Sequence, residues 1–317
     1  MISNLRGAPT APPEQPPEPK QCGRCLSGDT KDGETCTDCG ETAPDQPGFW
    51  DVTDEEYFAD TRFVGNSMLK TFSESVLRYH AKYVAKTLRE EPSGALRLGS
   101  AFHAMVLQPE KNLVAVGPKV DRRTKDGKCM WLLFEQDNVG RIKVTLDEYE
   151  TLSAMAEAIR GNPTTKDLIN TDGMAEAAIR WQDESSGLWC KSKFDLVTSD
   201  FILDLKTIDR LENWPKHVAN FGYHRQQAFY QSGDEHVSRH YGHHDKTKEF
   251  VFVVVEKEPP HEAAAFVLTD DAVALGRTEN LDAMLELVDR MKHNNWKSRY
   301  YHRITETSLP RWAMKGA

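Results

Sequence analysis

Two strand-like segments, residues 188–197 and 201–207, are separated by little more than Ser199 and Asp200, and this pair constrains the chain most. A two-residue connection is the common form of a β-hairpin, so the segments are expected to pair antiparallel. A turn centred on Ser199-Asp200 sets Asp195 directly opposite Asp204. Opposed residues share a face, with Cβ atoms about 4.5–5.5 Å apart. Two carboxylates so placed repel. A divalent cation between them removes the repulsion, and hard carboxylate oxygens suit Mg²⁺ or Mn²⁺. Lys206 follows Asp204 by two residues and therefore points to the same face. Paired carboxylates beside an ammonium suit phosphoryl transfer. A metal held there activates water and neutralises phosphate charge, and the lysine orients the nucleophile or stabilises developing charge. An ordinary half-exposed hairpin with salt-bridged Asp and Lys explains this segment equally well, so other segments have to decide.

Around the hairpin, strand and helix periodicities alternate. Helical spacing of apolar residues occurs over 67–83, 97–107 and 147–161, with further helices at 215–231 and 271–293. Strands are expected at 176–182, with a turn over 183–187, at 250–256 and at 266–268. The Val and Phe run of 250–256 reads as a strand buried on both faces. The fold class is therefore α/β, a central mixed sheet flanked by helices. The 317 residues are 39% hydrophobic and 28% charged, enough to bury one large core. The net charge of −9 argues against a protein that coats nucleic acid with its whole surface, but not against one basic track.

The N-terminal part is different. Residues 1–20 are rich in proline and read as an extended tether. Cys22-x-x-Cys25 and Cys36-x-x-Cys39 follow within residues 21–41. Four thiolates in two such pairs suit tetrahedral Zn²⁺, which would supply most of the folding energy of so short and polar a module. Disulfides or a redox pair are the alternatives. Residues 42–56 are acidic and read as linker, leaving 57–317 as the main domain. No apolar run is long enough to span a bilayer, and the first residues lack the apolar segment of a signal peptide, so a cytoplasmic location with reduced thiols is expected. Cys129 and Cys190 are read as buried free thiols. Trp181 and Trp189 are read as core or sheet-face residues.

Four short motifs occur in order: Gly99-x-x-x-His103, Asp195, Asp204-x-Lys206-Thr207 and Gln226-x-x-x-Tyr230. Each alone is weak. His103 on an apolar helix face reads more readily as a core histidine than as a ligand. Together they resemble the RecB/RecE-type nucleases of the PD-(D/E)xK superfamily, most closely the exonuclease VIII (RecE) nuclease domain and its phage relatives. The opening Asn66-Ser67 to Lys70, the 122–127 loop and the Trp296 to Trp312 stretch share that resemblance, which covers about residues 57–312. The superfamily's "PD" reads Phe194-Asp195 here. Its iron–sulfur members place cysteines after the lysine motif, and this chain has none after Cys190, so such a cluster is not expected.

The resemblance implies a catalytic metal held by His103, Asp195 and Asp204 with the Leu205 carbonyl. It implies Lys206 as catalytic lysine, and Gln226 and Tyr230 as supports that touch DNA near the scissile phosphate. Glu176 is ranked behind these ligands. It also implies 5′-to-3′ digestion of double-stranded DNA ends in phage-type recombination, with a homo-oligomer and a single-strand annealing partner as companions. The loop over 117–128 carries Lys119, Arg122, Arg123, Lys125 and Lys128 and is the candidate DNA path, with Arg225, Lys191 and Lys193 nearer the site. The rivals are an endonuclease of repair or restriction on the same fold, and a non-catalytic zinc-containing DNA-binding protein.

Overall fold

The structure, a computed structural model, describes residues 47–89, 94–242, 247–301 and 304–309, and the backbone of 20–21 and 29–30. In chain order the elements are β1 (Lys20–Gln21), β2 (Asp29–Thr30), β3 (Gly48–Phe49), α1 (Asp54–Ala59), β4 (Val64–Gly65), α2 (Asn66–Glu74), α3 (Val76–Tyr79), α4 (Gly94–Leu107), β5 (Val114–Val116), α5 (Lys125–Asp137), β6 (Ile142–Val144) and α6 (Leu146–Gly161). There follow α7 (Pro163–Ile169), β7 (Met174–Gln182), β8 (Trp189–Val197), β9 (Phe201–Ile208), α8 (Trp214–Phe221), α9 (Tyr223–His240), β10 (Glu249–Glu256), β11 (Ala263–Phe266) and α10 (Asp270–Lys292).

The main sheet has seven strands in the order β11-β10-β9-β8-β7-β3, with β4 paired to β8 off that path. It is mixed: β9 and β10 run parallel, as do β4 and β8, and the other neighbours are antiparallel. β10 shows why helices cover both faces. Alternate side chains of a strand point to opposite sides. Phe250, Phe252 and Val254 enter a cluster with Leu69 and Phe72 of α2, Phe229 of α9 and Leu287 of α10. Val253 and Val255 enter a second cluster with Phe102 of α4 and Met155 and Ile159 of α6. A strand apolar on both faces is stable only with a layer on each, and each fully buried side chain of this size contributes about 1.5–3 kcal/mol.

The expected α/β architecture is present, with differences of local chemistry. The helix expected at 215–231 is two helices, because Gly222 adopts a left-handed φ of 72° and turns the chain between α8 and α9. The helix expected at 67–83 breaks at Ser75, whose extended backbone lets its hydroxyl accept from the Arg78 N–H and start α3. The stretch read as linker contributes β3, which pairs with β7, and α1, which Thr53 and Glu56 cap reciprocally. The loop expected over 117–128 is shorter, since α5 begins at Lys125 with the Thr124 hydroxyl accepting from the Gly127 N–H. A Cβ at Gly127 would lie 2.1 Å from the Asp121 carbonyl, so the turn needs glycine.

Trp181, Trp189 and Cys190 are buried as expected, whereas Cys129 is exposed on α5. Cys22, Cys25, Cys36 and Cys39 lie outside the described residues; the backbone pairing Lys20↔Thr30 and Gln21↔Asp29 flanks the first two in sequence. No helix among the described residues is long and apolar enough to cross a membrane.

Candidate active site

The site lies where the sheet forks. β9 pairs with β10 without interruption from Phe201↔Glu249 to Ile208↔Glu256. Against β8 it pairs only at Leu196↔Leu203 and Val197↔Ile202. That register is the one the turn demands, and it brings Asp195 and Asp204 to the crotch of the fork. There the backbones part, and the Leu205 N–H donates instead to Asp195 Oδ2 at 2.7 Å. β4 occupies the vacated edge of β8 farther along, at Cys190 and Lys191.

The other neighbour of β8 is distorted at the same level. Ala175↔Leu196 and Ala177↔Phe194 are paired, but Glu176, between them and across from Asp195, has a φ of 56°. For a residue with a Cβ that costs about 1–2 kcal/mol. Both strands turn over here. Ala177 and Phe194 belong to the α9-side cluster, while Ala175 and Leu196, two residues away on each strand, belong to the α4-side cluster. Glu176 and Asp195 thus sit at a twist in the sheet, not on a regular face.

Helices on both sides complete the group. His103 of α4 places Nδ1 3.3 Å from Asp195 Oδ1 and Nε2 3.0 Å from the Leu205 carbonyl oxygen. Gln226 of α9 donates from Nε2 to Asp204 Oδ1 at 2.7 Å, and Lys206 Nζ pairs with Asp204 Oδ2. Tyr230, one turn beyond Gln226, reaches its amide and packs between Phe194 and Phe250. Lys193 bridges Glu176, at 2.6 Å, to Asp54 at the start of α1. Lys191 donates to the backbone carbonyls of Tyr57 and Asp60, so it holds the end of α1 in place.

Burial and charge pull against each other throughout. Burial pushes the Asp204 carboxyl up and Asp195 adds to that, while Lys206 pulls it back; the result is a value raised to about 6. Burial would also raise Asp195, but the His103 imidazole holds it below the ordinary carboxylate range. Burial would depress His103, and Asp195 more than offsets it, so the imidazole stands above its usual value. Lys206 is desolvated yet raised, because Asp204 and Asp195 favour its charge. Glu176 is raised by burial and by Asp195.

The donor set suits a hard divalent cation. One ligand atom from each of His103, Glu176 and Asp195 lies within 4.8 Å of the others. Each nitrogen of His103 faces an oxygen acceptor, and a neutral imidazole can donate to only one. A cation among these oxygens and the imidazole removes that conflict without a second ring proton. Asp204 is outside the 4.8 Å group, and its oxygens are engaged by Gln226 and Lys206. The reverse holds for Glu176, which the sequence ranked behind the ligands. A hairpin centred in 183–187 already puts Glu176 across from Asp195, so the signal was available.

Of the candidate basic residues, Lys193 reaches the site through Glu176, whereas Arg122 and Arg123 are engaged elsewhere. Arg122 lies over the Trp131 ring at 4.3 Å, in a cleft of about 550 Å³ lined also by Arg97, Arg141 and Lys143. Arg123 pairs with Asp121 at 3.0 Å, and Lys125 and Lys128 are exposed on the first turn of α5. Arg225 is not on a surface path: its side chain is 15% exposed and Nε donates to Asn280 Oδ1 of α10. Lys191 and Lys193 are tied to α1, as described.

The profile of a family described as a PDDEXK-like domain of unknown function (DUF3799) matches residues 65–302. A crystal structure of a protein from Eubacterium rectale, provisionally described as an exonuclease, is similar in fold. The TM-score is 0.56 at 16% sequence identity, over 84% of this chain and 99% of that one. No curated protein matches the sequence.

Proposed function

The chain belongs to this PDDEXK-like family, and on that premise we propose that it is a divalent-metal-dependent deoxyribonuclease that hydrolyses phosphodiester bonds from duplex DNA ends. The observation that carries the reading is the fork between β8 and β9, which gathers Asp195, Asp204, Lys206, His103 and the Leu205 carbonyl at one point. His103, Glu176 and Asp195 would hold the metal, and the family resemblance adds Asp204 and the Leu205 carbonyl to that set. When bound, Mg²⁺ or Mn²⁺ supplies an acidified water and neutralises charge on the phosphate.

The remaining steps fall to the chain. Lys206, held charged by the two aspartates, orients the attacking water and stabilises the charge that develops on the phosphoryl oxygens. Gln226 fixes Asp204 through Oδ1, and Tyr230 buttresses Gln226. The water oxygen bonds to phosphorus as the ester P–O bond breaks, and the departing oxygen takes up a proton, from the attacking water directly or through solvent, and leaves as a hydroxyl. The family resemblance supports 5′-to-3′ polarity, a role in recombination with an annealing protein, and an oligomer. The four N-terminal cysteines would bind Zn²⁺.

The test is digestion of linear duplex DNA labelled at either terminus, with Mg²⁺ or with EDTA, beside a covalently closed circle. Mg²⁺-dependent loss of the linear molecule with the circle spared is expected, and the label released first gives the polarity. Cutting of the circle would make the enzyme an endonuclease. No cutting with any divalent metal, in folded protein, would sink the nuclease reading.

A further inference from the structure

A stack of four aromatic rings passes through the buried Trp214 and reaches the surface beside Lys206. Phe266 and Trp214 lie 5.4 Å apart between centroids with planes 24° apart, Trp214 and Tyr223 5.4 Å and 25°, and Tyr223 and Phe221 5.8 Å and 24°. Within the stack Trp214 is fixed, only 4% exposed, while Phe266 and Tyr223 are half-buried. The outer end is open, with Phe221 46% exposed. The corner at Gly222, φ 72°, sets the last ring of α8 against the first ring of α9.

Two ammonium groups flank the outer rings. Lys206 Nζ is 5.1 Å from the Tyr223 centroid, and Lys70 Nζ is 5.3 Å from that of Phe221. Lys70 also donates to the Phe221 carbonyl at 3.3 Å, which anchors the backbone of the exposed ring. A lone exposed phenylalanine needs no explanation. A half-exposed ring held on a stack anchored by Trp214, with Lys70 over it, His217 packed at 5.0 Å with its plane tilted by 59°, and the ring that carries Lys206 next to it, has the form of a stacking platform for a nucleotide.

We propose that Phe221 stacks on the terminal base of the DNA strand being cleaved, with Lys70 and Lys206 towards that strand's phosphates; this rests on the nuclease reading above. Inside a duplex both faces of a base are covered by its neighbours. Only a terminal base offers a free face, so the platform selects ends over interior positions. Stacking is indifferent to sequence, because every base has a π-face.

The experiment is steady-state cleavage of linear duplex by the parent, Phe221→Ala and Phe221→Trp. Each is assayed with an intact terminal nucleotide and with an abasic one. Phe221→Ala is expected to raise KM about tenfold with kcat nearly unchanged, the size of one base–aromatic stack. Phe221→Trp should stay near the parent, which also shows that the position tolerates change. The abasic end should cost the parent the same factor and cost Phe221→Ala nothing more. Equal KM for parent and Phe221→Ala, or an undiminished abasic penalty in Phe221→Ala, overturns the platform while the nuclease reading stands. A parent that cuts nothing removes both.

Discussion

The two edges of β9 are an instructive pair. Against β10 it is paired over eight residues, with Phe250, Phe252 and Val254 on one face of β10 and Val251, Val253 and Val255 on the other. Against β8 it is bonded at two pairs and then released. The strand is the same, so intrinsic propensity does not distinguish the edges. What differs is the side chains brought into opposition. Apolar neighbours gain by closing the sheet, whereas Asp195, Asp204 and Lys206 need room for charge, for hydrogen bonds from outside the sheet and for a cation. The fold keeps one edge sealed and opens the other, and the sealed edge holds the open one rigid.

Substitutions should separate these edges. The largest effect is expected on activity at the open one. Asp204→Ala or Lys206→Ala should reduce Mg²⁺-dependent cleavage of linear duplex by about 10³-fold or more, with DNA binding in Ca²⁺ or EDTA largely kept. Parent-like cleavage by either variant would refute the site. At the sealed edge the effect is on stability. Phe252→Ala removes a fully buried ring and should cost about 3–5 kcal/mol in urea unfolding. A loss below about 1 kcal/mol would mean that β10 is not the core strand described.

Acidity gives a smaller contrast. In metal-free protein, folded Asp204 keeps its proton up to about pH 6, against about 3.9 in an unfolded chain. The folded state therefore binds more protons between those values, and this group's contribution to stability falls as pH rises through them. Unfolding in EDTA at pH 4 to 6 should show a shallower loss for Asp204→Asn than for the parent; parallel curves would contradict the raised value.

Glu176→Gly should relieve the left-handed backbone, leaving stability within about 1 kcal/mol of the parent and on the favourable side, while cleavage drops. A clear destabilisation would show that the carboxylate, paired with Lys193, holds the sheet together more than it serves the site. The smallest effect belongs to the exposed turn of α5. Lys125→Ala with Lys128→Ala should leave stability unchanged and make the log–log salt slope of DNA binding shallower by about one for each phosphate the two lysines neutralise; an unchanged slope would remove this turn from the DNA path.

Much of this was legible beforehand where neighbours in space are neighbours in sequence. The turn at Ser199-Asp200 determined the register of β8 and β9, so the approach of Asp195 to Asp204 and the common side of Asp204 and Lys206 followed from chain geometry. The i to i+4 spacing on α9 likewise put Gln226 and Tyr230 in reach of each other. Charge in a loop carried no such constraint. The basic run over 119–128 became partly helix, with Arg123 spent on Asp121 and Arg122 on Trp131, and Arg225 was drawn between two helices by Asn280.

By itself, then, the sequence determined the α/β pattern, the hairpin register and the identity of the charged group at its centre, because period and turn length are local properties of the chain. Only the tertiary structure decided that β9 leaves β8 at Asp195, that Glu176 takes a strained backbone to join His103, and that Phe221 crowns a stack beginning at Phe266. Those outcomes depend on which distant helix covers each face, and on whether burying a charge is offset by a partner far away in the chain.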